Sequence, residues 1–374
     1  MTEFIKGADI STLLEVESCG GKYYDEENNQ KDLISILKDH GFNYIRLRLW
    51  NNPYDDNGNS FGAGTCDLET VIKIAKRVKA QGLKILLDYH YSDFWTDPGK
   101  QTKPRAWANH SVSELIKDIY DFTYETLLKM DSEQVFPDMI QVGNELSAGL
   151  LWPEGRWPEF GNIAAFVGSG IKAVHAAETA VNKKSKIMIH LDNGGKNELY
   201  RTWFDNYMKL GPDFDIIGLS YYPFWHGSLC DLKNNMADIA IRYNKELVVA
   251  EVSMGFTMED YAAYEHLSPE NRKGYATKPE LAARLPYEMS KEGQVKFTED
   301  FLNTLKSVPE HKGIGFFWWE AGWLPVPGSG WATEAAIKYM NEKGPGGNEW
   351  ANQALFDYDG HALPALNLIK DFKI

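Results

Sequence analysis

Eight short apolar runs, spaced along the whole chain and separated by stretches of helical periodicity, constrain the fold more than any other feature. The runs fall at 6–10, 44–50, 84–90, 139–145, 186–192, 215–222, 246–252 and 313–320. Amphipathic spacing predicts helices over 33–40, 68–81, 113–130, 163–178, 231–243, 294–307 and 363–372, with Gly41 and Gly82 as stops. A helix between two strands carries the chain back across the sheet, so the next strand pairs in parallel. Repeated eight times at fairly even spacing, this predicts an α/β protein with a closed (beta/alpha)8 TIM barrel and long beta-alpha loops. The rival, an open doubly wound sheet, would carry a glycine-rich phosphate turn after an early strand, and none is present. No Pro/Ser-rich linker divides the 374 residues, so residues 1–374 are expected to form a single domain.

Barrels of this kind place their chemistry at the C-terminal ends of the strands. Those ends read Arg46, Arg48 and Trp50; Asp88 and His90; Asn144 and Glu145; His190 and Asp192; Tyr221 and Tyr222; Glu251; and Trp318, Trp319 and Glu320. The plain alternative for Glu145 and Glu251 is a structural ion pair, with Arg46 as the obvious partner. Two acidic side chains delivered by opposed strand ends are what glycosidic cleavage requires: one protonates the leaving oxygen, the other meets the developing oxocarbenium carbon. Cations at Arg46 and His90 are expected to keep Glu251 ionised, and Tyr222 to donate its phenolic hydrogen to that carboxylate.

Composition narrows the substrate. The chain holds 12 Trp, 19 Tyr and 18 Phe, more than a core alone calls for, and an indole face suits the C–H face of a sugar. Trp95, Trp107, Trp225 and Trp319 are the candidate platforms. Strand alternation lets only one of Trp318 and Trp319 face the barrel; Trp319 is expected inside, with Trp318 packed outward and Glu320 turned out of the lumen. A formal net charge of −14 speaks against nucleic acid and would repel polyanions, which leaves a neutral polymer. No apolar run reaches the length of a membrane span. The three cysteines stand too far apart for a disulfide framework or a metal knuckle. His90, His190, Asp88 and Asp192 are metal-ligand types, yet no H-x-H or H-E-x-x-H spacing occurs and the paired Glu already account for hydrolysis, so no catalytic metal is expected.

The Asn-Glu strand end faced by a second strand-end Glu resembles the large clan of retaining glycosidases built on this barrel. Six blocks narrow the resemblance: F-I-K-G-A-D-I-S-T (4–12), Y-I-R-L-R-L-W-N-N-P-Y (44–54), L-D-Y-H-Y-S-D-F-W-T-D-P-G-K-Q (87–101), Q-V-G-N-E (141–145), S-Y-Y-P-F-W-H-G (220–227) and N-Q-A-L-F-D (352–357). In this order the chain is similar to the endo-beta-1,4-galactanases of glycoside hydrolase family 53. The resemblance implies Glu145 as acid/base, Glu251 as nucleophile and Asn144 as holder of the sugar 2-hydroxyl. It also implies substrate contacts from Arg46, Asp88, His90, Trp95, Asp192, Tyr222, Trp225, His226 and Trp319. The implied reaction is retaining cleavage of internal beta-1,4-galactosidic bonds in type I arabinogalactan, through a covalent glycosyl-enzyme and without a cofactor. The implied partners are beta-1,4-galactan and galactooligosaccharides. A mannanase or cellulase of the same clan, or a non-catalytic galactan-binding barrel, are the alternatives. With no targeting segment at the start, the chain reads either as cytoplasmic or as an exported enzyme whose signal has been removed; a polymer substrate favours the second, a secreted or cell-envelope enzyme. Some bacterial relatives hold a structural calcium after the seventh strand; here the long loop 255–293 reads M-E-D-Y-A-A-Y-E-H in place of D-x-D-x-H, which speaks against calcium.

Overall fold

A computed structural model describes residues 3–261, 278–344 and 346–373. The barrel strands are β1 (Ile5–Asp9), β2 (Tyr44–Leu49), β3 (Lys84–Tyr89), β4 (Met139–Val142), β5 (Lys186–Leu191), β6 (Ile216–Tyr221), β7 (Glu246–Val252) and β8 (Gly313–Trp318). Each pairs in parallel with its neighbour in sequence, and β8 pairs with β1 to close the barrel. The helices that follow them in turn are α1 (Leu33–Asp39), α2 (Leu68–Ala80), α3 (Val112–Ser132), α4 (Phe160–Val181), α5 (Asn197–Leu210), α6 (Leu229–Tyr243), α7 (Lys291–Lys306) and α8 (Ala365–Asp371). Their starts are chemically marked. Asp67 caps α2 by accepting from the Thr70 amide, and Ser111 and Glu114 form a reciprocal capping box on α3.

One of the eight barrel helices escapes the sequence reading. α5 (N-E-L-Y-R-T-W-F-D-N-Y-M-K-L) buries Tyr200, Trp203, Phe204 and Tyr207 on a single stripe. Aromatic residues are weak helix formers, so here packing against the barrel decides the state rather than propensity.

Two layers of apolar side chains follow from the period of two along the strands. Ile45, Leu47, Leu49, Ile85, Leu87, Ile187, Ile189 and Leu219 face outward into the shell shared with the helices. Ile5, Tyr44, Leu86, Met139, Met188, Ile216, Val248, Ala250, Ile314 and Phe317 fill the bottom of the barrel. Above that plug the inward positions turn polar, and the site begins.

β7 breaks the alternation where it matters. Val249 pairs with Leu219 but Glu251 pairs with Ser220, so Ala250 is an extra residue, and the β8 register shifts at the same place. Val248 and Ala250 face in, Val249 and Val252 face out. Strict alternation would therefore send Glu251 out into the helical shell. The bulge puts it inward beside Ala250 instead, as bulges do next to functional sites.

The plug carries the testable consequence. Phe317 is fully buried, edge-on to Tyr44 at 6.0 Å, and a Cβ on Gly7 would sit 2.3 Å from its ring. Phe317→Ala is expected to cost about 3–5 kcal/mol, because tightly packed strands cannot collapse into the gap. The midpoint of urea unfolding followed by circular dichroism measures it; a loss under about 1 kcal/mol would contradict this packing.

Candidate active site

Glu145 is presented by a turn rather than by the strand. β4 ends at Val142, three residues earlier than the apolar run suggests, because Gly143 takes φ +84° and Glu145 itself φ +51°. A left-handed glutamate is unfavourable and persists only where surrounding contacts hold it, as they do at functional sites. On Gly143 a Cβ would strike the Leu146 side chain at 2.8 Å. Glu251 arrives from the opposite wall on the β7 bulge. Carboxylate oxygens of the two residues come within 4.8 Å of each other.

The two carboxyls differ in their partners. Glu145 accepts one hydrogen bond, from Ser220 Oγ at 2.6 Å. Burial first, then the neighbouring Glu251, push its pKa well above the ordinary carboxylate value. Glu251 is also pushed up by burial, but it is opposed by the Arg46 guanidinium at 2.9 Å and by the Tyr222 hydroxyl, which donates to Oε2 at 2.8 Å. When the pair shares one proton, that proton belongs on Glu145.

Arg46 organises the floor. It donates to Asp9 at 3.0 Å, Asp88 at 2.8 Å, Asn144 Oδ1 at 3.1 Å, Gln141 Oε1 at 3.3 Å and Glu251. Arg46 and Asp88 are fully buried and lie outside the cavity lining, so their expected direct contact with substrate is not what the geometry supplies: both are saturated by one another and by the floor. The expectation that His90 adds a cation beside Glu251 is corrected too. Burial lowers its pKa and keeps the ring neutral, Nδ1 accepts from the Thr96 amide at 3.1 Å, and Nε2 faces Asp88 at 3.1 Å.

Above the floor opens a cavity of about 660 Å³. Asn144, Glu145, Glu251, His90, Asp192, Tyr222, Trp225, His226, Trp95 and Trp319 all line it. Trp318 points outward and donates its indole hydrogen to the Gln353 carbonyl at 2.9 Å. Glu320, expected to leave the lumen, turns back instead: two residues beyond β8 its φ is +44°, and it pairs with Arg48 at 2.6 Å. Trp107 is no platform; it packs in the outer core against Phe122 at 6.0 Å.

With that geometry in place the chain can be compared with known proteins. Residues 5–369 match the sequence pattern of Glycosyl hydrolase family 53. The chain belongs to that family. The "Endo-beta-1,4-galactanase" of Bacillus subtilis (strain 168) is 36% identical over 98% of this chain and 86% of its own length. Among solved structures, the family 53 catalytic domain of Ignisphaera aggregans superposes with a TM-score of 0.89 at 38% identity, covering 98% of this chain and 95% of that one. A structure described as one of two fungal beta-1,4-galactanases reaches 0.76 at 32% identity over 98% of each chain. This protein is therefore a glycoside hydrolase on a TIM barrel. Among the described residues no helix is long and apolar enough to cross a membrane.

This family 53 cavity also has walls that strand-end reading missed. Trp323, Trp331 and Trp350 come from the segment after β8, and Trp350 stands edge-on to Trp319 at 5.0 Å. The stretch that carries them is rich in Gly and Trp, but nothing local says which way a loop folds. Arg48, read only as a strand-end residue, sits 4.4 Å from the Trp95 ring centre and backs that platform as a cation–π partner. Among the described residues, one group could hold a cation: Glu145, His190 and Glu251. It is the carboxylate pair plus an imidazole whose Nε2 is 2.8 Å from Ser220 Oγ and whose Nδ1 is 3.0 Å from Gln141 Nε2, so both nitrogens are engaged. The expected loop motif M-E-D-Y-A-A-Y-E-H runs into residues 262–277, outside the described residues.

Buried neutral imidazoles tie stability to pH. Burial holds His226 at about 4, against an ordinary value of 6.5, and lowers His90 and His190 as well. The unfolded chain then takes up protons first as the pH falls. The histidine contribution to stability is full above about 6.5 and drains between 6.5 and 4, by about 3 kcal/mol from His226 alone, while the raised buried carboxyls act with the opposite sign. Urea unfolding at a series of pH values isolates it: as the pH falls from 6.5 to 4, wild type is expected to lose about 3 kcal/mol relative to His226→Gln, and a pH-independent difference would refute it.

Proposed function

We propose that this chain is a retaining endo-beta-1,4-galactanase, a single catalytic unit acting on galactan outside the cell or at its envelope. The observation that carries the mechanism is the approach of the Glu145 and Glu251 oxygens to within 4.8 Å. Inverting enzymes need about 6.5–9.5 Å, to admit a water between carboxylate and sugar, whereas about 5–5.5 Å suits direct attack. In the first step Glu145 protonates the departing glycosidic oxygen and Glu251 bonds to the anomeric carbon. In the second, Glu145 takes a proton from water, the resulting hydroxide bonds to that carbon, and Glu251 leaves as carboxylate. Arg46 and Tyr222 hold the two oxygens of Glu251 for attack. Asn144, beside the acid, is assigned to the sugar 2-hydroxyl, and Trp95, Trp225 and Trp319 to the sugar faces. Asp192, His90 and His226 are assigned to polar contacts around the rim.

The choice of galactan rests on the relatives named above. Its test is reducing-sugar release from potato galactan against mannan and carboxymethylcellulose. Preferential release from galactan is expected, with the initial products carrying the β-anomer by NMR; α-anomeric products, or a preference for mannan, would overturn the reading. Glu251→Gln is expected to abolish turnover. Glu145→Gln is expected to lose about 10²–10⁴-fold on galactan while forming the glycosyl-enzyme readily from aryl glycosides whose leaving group needs no protonation. Near-normal galactan cleavage by either variant would contradict the roles.

A further inference from the structure

Glu145 is held by a line of buried polar side chains that do not reach the cavity. Ser220 of β6, His190 of β5 and Gln141 of β4 are each fully buried and absent from the cavity lining. Ser220 Oγ lies 2.6 Å from Glu145 Oε1, His190 Nε2 lies 2.8 Å from Ser220 Oγ, and Gln141 Nε2 lies 3.0 Å from His190 Nδ1.

Arg46 gives the line a direction. A guanidinium only donates, so Arg46 Nε at 3.3 Å identifies Oε1 of Gln141 as the acceptor and turns its NH₂ toward Asp88 at 2.6 Å, His190 Nδ1 at 3.0 Å, and the Gly143 carbonyl and Asn144 Oδ1 at 3.1 Å. His190 Nδ1 thus faces a donor and keeps its lone pair. Its other neighbour, Asn144 Oδ1 at 3.1 Å, lies within hydrogen-bond distance of two other donors, Arg46 Nη2 and Gln141 Nε2, each at 3.1 Å, enough for its two lone pairs. The ring hydrogen therefore sits on Nε2 and points at Ser220 Oγ. With that oxygen accepting, the hydroxyl hydrogen is directed to Glu145 Oε1.

We propose that Gln141, His190 and Ser220 are positioning residues that decide which oxygen of Glu145 carries the catalytic proton: the Ser220 hydrogen occupies Oε1 and leaves the proton to Oε2. A carboxyl held this way presents one acidic hydrogen in one direction, and once it is transferred the carboxylate keeps a hydrogen bond while it waits to act as base. The inference rests on the acid/base role given to Glu145 above. Other ionisable groups also face Glu145: Glu251 on β7, Asp192 and His190 at β5, Asp97 in the loop after β3, Tyr222 after β6 and Tyr200 on α5. The three carboxylates among them raise its pKa whether or not Ser220 is present, whereas the Ser220 hydrogen bond lowers it.

Two measurements on the intact chain decide the matter. With ¹⁵N-labelled histidine, the His190 ring is expected to show the Nε2–H tautomer; an Nδ1–H tautomer would overturn the proposal. In Ser220→Ala the alkaline limb of kcat/KM on galactan is expected to move up by about one pH unit, with kcat falling roughly tenfold and KM little changed. Ser220→Thr, which keeps a hydroxyl, is expected to restore the limb. A folded Ser220→Ala enzyme with an unmoved limb would also overturn it. Should the wild type fail to cleave galactan, the proposed activity falls instead, and the His190 tautomer with the ¹³C titration of Glu145, in wild type and Ser220→Ala, still decides the relay.

Discussion

Everything at the mouth of the barrel depends on the fully buried guanidinium of Arg46. It ties β1 through Asp9, β3 through Asp88 and β7 through Glu251, and it touches Gln141 and Asn144 at β4. Taking an arginine out of water costs several kcal/mol, and only several charge-assisted bonds at once can offset that. The network is thus all-or-none: strands at the wrong spacing would leave the charge exposed to a low dielectric without partners. Barrel closure and the position of one active-site carboxylate become the same constraint.

Arg48 continues the network upward, and the charges do not balance. The two guanidiniums face the carboxyls of Asp9, Asp88, Glu251 and Glu320. Asp9, which touches both arginines, stays below the ordinary carboxylate range although burial opposes it. Glu320 has only Arg48 and a Thr12 hydroxyl, and burial pushes it up to about 7. A buried acid ionises in proportion to the cations it can reach, and the same rule separates Glu251, which has Arg46, from Glu145, which has a serine. One cup therefore holds a proton donor and an anion built from identical side chains.

Much of this was legible along the chain because the governing patterns are local. The strand ends over 44–50 and 84–90 already brought Arg46, Arg48, Asp88 and His90 to the mouth of the barrel, and the strand order followed from the repeat. What alternation cannot convey is depth. Arg46 and Asp88 read as site residues no differently from His90, yet they lie under the floor while His90 lines the cavity. Nor does a tryptophan disclose its company: Trp107 and Trp95 lie in the same loop, one in the core and the other on the wall.

The sequence by itself determined the barrel, the presence of two strand-end glutamates and an aromatic excess suited to sugars, since periodicity of two and of 3.6 residues is written residue by residue. Only the tertiary structure decided that Glu251 faces inward, because the β7 bulge arises from register with β6 and β8 and has no local signature. It also decided that Glu145 stands in a left-handed turn beyond its strand, and that Trp350 crosses from a distant loop to meet Trp319. In each case the deciding energy lies between segments far apart in the chain, where hydrogen-bond register and packing outweigh what any one stretch prefers.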